Sequence, residues 1–419
     1  MSLTRKTYVL GGHITKFIGS RHPDFIWKKH PEFGKKENPI LEDYIDEAVN
    51  GALENTGVKA ESIEKAWIGN FCGELFSNQG HLGAAVVGAN PGLMHKPVMR
   101  VEGACASGGL AFTSAVDAIQ GGADVTLVAG AEVQTNASAR VGGDYLARAS
   151  HYTRQRGIDD FTFPAIFARR IKACQEGLGI TPEDLGTLSA KAYANANKNP
   201  KAHMTAVKMD KETASNTSDK NPCFLGNEEL NPYLRLSDCS QVSDGGAALI
   251  LVSEEGLKKL GKSPSDAMEL VGIGHATGNL YEDSDPLKLD TTEAAANKAY
   301  EMSGLSSDDI NVAEVHDCFT ITEVLMMEAL GFAAQGEGKD LVRDGSLEID
   351  GRIPCNTGGG LVGFGHPVGA TGVKQILEVY RQMKGQCGDY QMSTAPTHGI
   401  TANMGGDDKT SVVGIFKNC

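Results

Sequence analysis

The chain alternates between two apolar rhythms. Short apolar runs, YVLG at 8–11, DVTLVAG at 124–130, AALILVS at 247–253 and TSVVGIFK at 410–417, are separated by stretches whose apolar residues fall three and four apart. The first rhythm predicts buried strands and the second predicts helices packed by one face. The first part of the chain thus gives strands at 8–11, 64–69, 97–101, 124–130 and 247–253, with helices over 41–56 and 105–121. The last part gives strands at 268–276, 311–316, 391–396 and 410–417, with helices over 291–303, 320–331 and 368–384. Strands alternating with helices predict layered α/β architecture with largely buried sheets.

The pattern also repeats. AVNGALENTGVKAESIEKAWIGN at 48–70 aligns with AANKAYEMSGLSSDDINVAEVHD at 295–317 at one constant offset of 247. Ala48, Ala52, Glu54, Gly57, Ile63 and Ala66 meet Ala295, Ala299, Glu301, Gly304, Ile310 and Ala313. Each copy reads as a helix closed by a glycine, a short turn and a buried strand. An internal duplication of this kind predicts two similar halves forming a five-layered α-β-α-β-α sandwich, with one helix from each half in the middle. The middle helices are 105–121 and 368–384, which start at the glycine-rich lead-ins CASGG and GHPVGATG; packed together, the two lead-ins meet at one site. The stretch 134–240 is too long for a loop of such a fold and reads as an inserted subdomain. The expected division is 1–133 plus 241–267 for the N-terminal half, 134–240 for the insertion and 268–419 for the C-terminal half.

Composition narrows the function. A net charge of −14 over 419 residues argues against a general nucleic-acid binder. No apolar run reaches the ~20 residues of a membrane span, and the N-terminal residues are too weakly apolar for a secretory leader. Nine cysteines without framework spacing fit free thiols in a reducing cytoplasm, and no pair has structural-zinc spacing, so no metal is expected. The insertion carries 14 Lys and Arg against 12 Asp and Glu, a basic island on an acidic protein, which suits either an anionic ligand or a neutral surface lid.

Three stretches carry chemistry. Cys105 sits between alanines at the start of a predicted helix, where the helix dipole favours thiolate and small neighbours leave access; a buried inert cysteine is the bland alternative. His366, in Gly-His-Pro, falls just outside a helix start, with Pro367 at the first helical position, where a neutral imidazole is favoured. Alone it reads more readily as a loop histidine capping a turn; its place at the entry of the second central helix, the counterpart of Cys105's, favours the chemical reading. His316 and Cys318 share one side at the end of a buried strand, with Asp317 on the other. Cys72, Cys174, Cys223, Cys239, Cys355, Cys387 and Cys419 lack such settings and read as structural, Cys355 least securely because it precedes NTGGG.

CASGG, HDCF and GHPVGATG, in that order in a duplicated α/β chain, resemble the thiolase superfamily; HDCF, with FPAIFARR at 163–170 and NPKAHM at 199–204, resembles its sterol-carrier-protein type. The resemblance implies an acyl-CoA C-acyltransferase running reversible Claisen chemistry on 3-ketoacyl-CoA. It implies Cys105 as nucleophile, His366 as its base, His316 as oxyanion donor and Cys318 as the acid/base at the α-carbon. Ser240 would contact the pantetheine arm, and the insertion would hold coenzyme A. Coenzyme A and acyl-CoA are then substrates and no cofactor is tightly bound. A homodimer or tetramer is expected, with a partner subunit possible. Many thiolases carry a second cysteine in a C-terminal Cys-x-Gly turn; here STAPTHGITANMGGDD has none. His398-Gly399 is a candidate to fill that turn and supply a backbone N–H, and Asp407-Asp408 has no explanation from sequence. Two alternatives stay open: a decarboxylating condensing enzyme of the same superfamily, and a non-catalytic acyl-CoA-binding or scaffold subunit.

Overall fold

The computed structural model describes residues 3–419. The strands are β1 (Thr7–Ile14), β2 (Lys65–Gly69), β3 (Val98–Val101), β4 (Val125–Glu132), β5 (Gly245–Ser253), β6 (Met268–Thr277), β7 (Val312–Val315), β8 (His398–Gly405) and β9 (Thr410–Asn418). They form one mixed sheet in the order β3-β2-β4-β5-β1-β6-β9-β8-β7. In the first half β2 lies parallel to β3 and β4, and β5 lies antiparallel to β4 and β1. The second half repeats this: β7 is parallel to β8, and β9 is antiparallel to β8 and β6. The counterpart of β3 is reduced to one parallel bridge, Ala313 with Cys355.

The halves are joined rather than merely stacked. β1 and β6 pair antiparallel from Thr7–Leu270 to Val9–Met268. These are the equivalent edge strands of the two halves, and each satisfies the unpaired backbone groups of the other.

Helices α1 (Leu41–Thr56), α2 (Gly73–Phe76), α3 (Leu82–Ala89) and α4 (Ser107–Gln120) belong to the first half. Between β4 and β5 come α5 (Ala139–Leu146), α6 (Tyr152–Gln155), α7 (Thr162–Leu178), α8 (Pro182–Ala196) and α9 (Lys211–Ser215). Then follow α10 (Glu254–Lys259), α11 (Asp290–Ser303), α12 (Thr320–Ala329), α13 (Gly338–Arg343) and α14 (Thr371–Met383). The duplication shows in α1 and α11, which end on Gly57 and Gly304 with φ of 68° and 69°. α1 covers β1 and β5, and α11 covers β6 and β9. α4 and α14 pack on each other, and each touches strands of both halves. They form the central layer of the five-layered α/β sandwich. Their approach requires glycine: a Cβ on Gly372 would lie 2.4 Å from the amide nitrogen of Gly109.

Three boundaries depart from the expected ones. Residues 391–396 are not a strand. Pro396 has no N–H to give a ladder, and the amide of Met392 bonds instead to the Gln382 side chain. The strand lies beyond, at β8, whose HGITANMG lacks an apolar run yet is paired on both sides by β7 and β9. The helix expected from residue 105 starts at Ser107, and Pro367 precedes a 3₁₀ turn, Val368–Ala370, rather than opening α14. Among the described residues no helix is long and apolar enough to cross a membrane.

Candidate active site

Cys105 lies in a tight bend between β3 and α4. The preceding Ala104 has φ of 51°, a left-handed conformation costing a non-glycine residue roughly 1–2 kcal/mol. Hydrogen bonds hold it: the Ala104 amide donates to Glu102 Oε1 at 2.5 Å, and Ser107 Oγ accepts from the Gly103 amide at 3.1 Å and donates to the Ala104 carbonyl at 2.6 Å. The bend carries the Cys105 thiol into a cavity, half-buried. Burial pushes the thiol pKa up to about 12, with Glu132 and Glu102 adding in the same direction and the Gly406 amide opposing. The expectation of a resting thiolate is therefore corrected. α4 begins two residues later, and loss of water outweighs its dipole, so Cys105 rests as a thiol and needs a base.

That base comes from the other central lead-in. Cys105 Sγ and one ring nitrogen each of His316 and His366 lie within 4.8 Å of one another. The imidazole rings meet edge to face, with centroids 5.0 Å apart. Thr371, the first residue of α14, donates its hydroxyl to the Pro367 carbonyl at 3.0 Å, so its oxygen accepts at 2.7 Å from His366 Nδ1. Nδ1 thus carries the proton, and Nε2 is a free acceptor. His316 has the opposite tautomer. Asn403 Oδ1 accepts from the Gly109 amide at 3.0 Å, and its Nδ2 donates to the Cys105 carbonyl at 3.0 Å, which fixes the amide orientation. The same Nδ2 lies 3.3 Å from His316 Nδ1 and donates to it, leaving Nε2–H as a donor. Burial holds both imidazoles neutral, His366 down to about 3 and His316 well below the ordinary range. A Cys-His-His triplet could suit a soft divalent metal, but a metal-binding histidine gives its other N–H to an acceptor. His316 Nδ1 faces a donor, so the residues do not fit a resident metal.

Cys318 and Ser240 line the same cavity as Cys105 and His366. The backbone joins them, the Ser240 amide donating to the Cys318 carbonyl at 2.9 Å. Burial raises the Cys318 thiol well above its ordinary pKa, with Cys105 and Asp317 adding to it. Asp317 faces away, its Oδ1 accepting from the Leu361 amide at 2.6 Å. The cavity measures about 220 Å³. Its walls come mostly from the insertion: Leu146, Phe161, Phe163 and Phe224, facing Phe71 and Phe319.

His398 does not reach the site. It opens β8, roughly 23 Å from Gly405 at the strand's other end at ~3.3 Å per residue. The turn beside Cys105 is Gly405-Gly406. A Cβ on Gly405 would lie 2.1 Å from the Gly103 carbonyl oxygen, and Gly406 lines the cavity. Asn403, which the sequence reading passed over, sits in TANMGG just before that turn, and nothing in its neighbourhood along the chain signals its partners. Glu132 was also missed. It accepts from the Phe71, Cys72 and Gly369 amides at 2.9–3.1 Å, tying the two halves, and burial pushes its pKa up to about 7. Of the other cysteines, Cys239 lines the cavity but is buried, while Cys355 gives its carbonyl to Lys191. The insertion's cations are largely spent on ion pairs, including Arg140–Asp160, Arg156–Asp144 and Arg170–Asp407.

Comparison with known proteins identifies the family. The family profile "Thiolase, N-terminal domain" matches residues 32–255, and "Thiolase C-terminal domain-like" matches 272–418. An acetyl-CoA acetyltransferase of Methanothermobacter thermautotrophicus is 35% identical over 89% of this chain and 94% of its own. The benzoylsuccinyl-CoA thiolase subunit BbsB of Thauera aromatica is 31% identical, covering 97% and 96%. Among solved structures, the Ltp2-ChsH2(DUF35) aldolase superposes with a TM-score of 0.74 at 23% identity, covering 99% of this chain and 98% of that one. The chain belongs to the thiolase superfamily.

Proposed function

We propose that this enzyme is an acyl-CoA C-acyltransferase that cleaves or forms 3-ketoacyl-CoA through an acyl-Cys105 intermediate. The observation that carries this reading is the pair of opposite histidine tautomers beside one thiol. In the cleavage direction His366 Nε2 takes the Cys105 proton, and the thiolate attacks the ketone carbon. The bond between that carbon and the α-carbon breaks as the acyl group stays on sulfur. His316 Nε2–H donates to the thioester oxygen as it becomes an enolate. Cys318 then protonates the α-carbon, releasing acetyl-CoA. Incoming coenzyme A loses its thiol proton to Cys318 and takes the acyl group, and the released Cys105 thiolate regains its proton from His366. A donor aimed at the oxygen and an acceptor aimed at the sulfur are what this sequence needs, and neutral histidines provide both.

The cavity supports an apolar acyl group bulkier than acetyl, since phenylalanine and leucine side chains wall a space far larger than one water's ~30 Å³ share. The relatives' names, one acting with acetyl-CoA and one with benzoylsuccinyl-CoA, support the same chemistry on acyl groups of different size. Segment 134–240 serves as the domain that holds coenzyme A, with Ser240 beside its pantetheine arm. Nine free thiols support a reducing cytoplasm. Strand β3 leaves one edge open beside exposed Met94 and Met99, which supports a homodimer, and BbsB's name as a subunit supports a further partner chain.

The test is thiolysis of 3-ketoacyl-CoA of increasing length by coenzyme A. Turnover that rises from acetoacetyl-CoA to longer or aryl-bearing substrates is expected. Turnover restricted to malonyl-CoA with release of carbon dioxide would favour the decarboxylating alternative, and no turnover of any thioester would favour a binding subunit.

A further inference from the structure

The acidic pair Asp407-Asp408 lies in the turn joining β8 to β9, directly after Gly406. Both carboxylates are buried, at 4% and 3% exposure, which is costly unless each is fully engaged. Asp407 reaches into the insertion. Its Oδ1 accepts from Arg170 Nε of α7 at 2.5 Å, and its backbone carbonyl accepts from Ser284 Oγ at 2.5 Å. Arg170, itself 1% exposed, also donates through Nη1 to the carbonyls of Asp285 and Lys288 at 2.7 and 3.1 Å. Asp408 reaches the other way, to the start of α11. Its Oδ2 accepts from the Thr291 amide at 2.8 Å, and its Oδ1 accepts from the Thr292 amide at 3.1 Å and hydroxyl at 2.7 Å. Asp408 has φ of 55° and Gly406 of 67°, so the turn is wound in a conformation that its neighbours must hold.

From this geometry we propose that Arg170, Asp407 and Asp408 are positioning residues that aim the Gly406 N–H at Cys105. The Gly406 amide, together with the amide of Cys105 itself, opposes the raised pKa of the Cys105 thiol. Gly406 shares the cavity wall with Cys105, and its neighbour Gly405 is pressed against the Gly103 carbonyl. A donor on this wall serves negative charge as it forms, first on sulfur and then on the oxygen of the tetrahedral adduct beside it. One carboxylate fastens this donor to the insertion and the other fastens it to the C-terminal half. Arg170 also keeps the charge of Asp407 from opposing the thiolate. A shift of about 1 Å in such a donor can cost about 10²-fold in rate.

The inference rests on Cys105 being the acyl acceptor, and its test has a readout independent of turnover. Arg170→Gln and Asp407→Asn are measured for kcat and KM in thiolysis and for the rate of iodoacetamide alkylation at Cys105, located by peptide mass at fixed pH. About ten-fold or greater loss of kcat is expected, with KM changed by less than about two-fold and alkylation slowed in parallel. Arg170→Lys should recover part of both. Thr292→Val, which removes one hydroxyl and keeps the backbone donors, should move both rates the same way by a smaller factor and stays informative if the first variants do not fold. Unchanged kcat and alkylation rates in folded Arg170→Gln and Asp407→Asn would overturn the proposal, as would loss of KM alone. A parent enzyme that alkylates at Cys105 but never carries an acyl group would instead refute the acyltransferase reading.

Discussion

The two halves share a scaffold and divide the labour. Both have an outer amphipathic helix, α1 or α11, closed by a left-handed glycine, and both send one helix to the centre. The central helices differ in kind. α4 buries Ala111, Phe112, Ala115, Val116 and Ile119, an ordinary apolar face. α14 buries nearly everything, including Lys374, Gln375, Glu378 and Gln382. Lys374 pairs with Glu314 of β7 at 3.0 Å and packs over the Phe364 ring, while Gln375 donates to the Ala402 carbonyl at 3.1 Å. The first half places one reactive atom by a strained bend and close backbone contact. The second places two imidazoles and a thiol by a buried polar network. A duplicated fold thus offers two equivalent helix lead-ins, and differentiation gave the nucleophile to one and the base to the other. The last two strands tell the same story. In the first half they are separated by the cavity-walling insertion, whereas in the second a short turn brings Gly406 to Cys105.

Substitutions at the two lead-ins should separate these roles. Cys105→Ala should lower kcat by about 10⁴-fold or more, since no other group can carry the acyl chain. Cys318→Ala should reduce the full reaction by about 10³-fold yet still accept an acyl group on Cys105, which intact-protein mass will show; wild-type turnover would remove Cys318 from the mechanism. Lys374→Met strands Glu314 in the core and should cost about 3–5 kcal/mol of stability in chemical denaturation, whereas Lys374→Met with Glu314→Leu should restore most of it. The equivalent surface of α4 carries no such pair and should tolerate apolar exchanges at about 1 kcal/mol. Asn403→Leu should lower kcat by about ten-fold by freeing the His316 tautomer, with KM little changed. The smallest expected effect is of pH. A histidine whose pKa is depressed to about 3 remains a neutral base as pH falls through 6.5 and loses that role only near its own pKa. The rate of Cys105 acylation should therefore show no acid limb at pH 6.5, and a limb there would contradict the buried-neutral assignment.

Much of this was legible in the residues. Apolar spacing located α1 and β5 closely, and the constant offset between residues 48–70 and 295–317 disclosed the duplication. The lead-ins and HDCF pointed to Cys105, His366 and Cys318, which line one cavity, and to His316, which has a ring nitrogen within 4.8 Å of Cys105 Sγ and of His366. What stayed hidden depends on partners distant in the chain. β8 is small and polar in sequence and becomes a strand because β7 and β9 pair it. α14 looks half-exposed because its buried charges are matched only in space. The protonation of Cys105 could not be read because burial, not the helix dipole, sets it. Asn403 and the Asp407-Asp408 pair act on residues 87 or more positions away, so neither carries a local signature.

One thiol on one half is served by two neutral imidazoles on the other. Rapid mixing of the enzyme with acetoacetyl-CoA, quenching and peptide mass mapping test it directly. One acetyl group on Cys105 is expected, its formation slowed by about 10³-fold in His366→Ala. An acyl group on another residue, or acylation of Cys105 that is indifferent to His366, would contradict it.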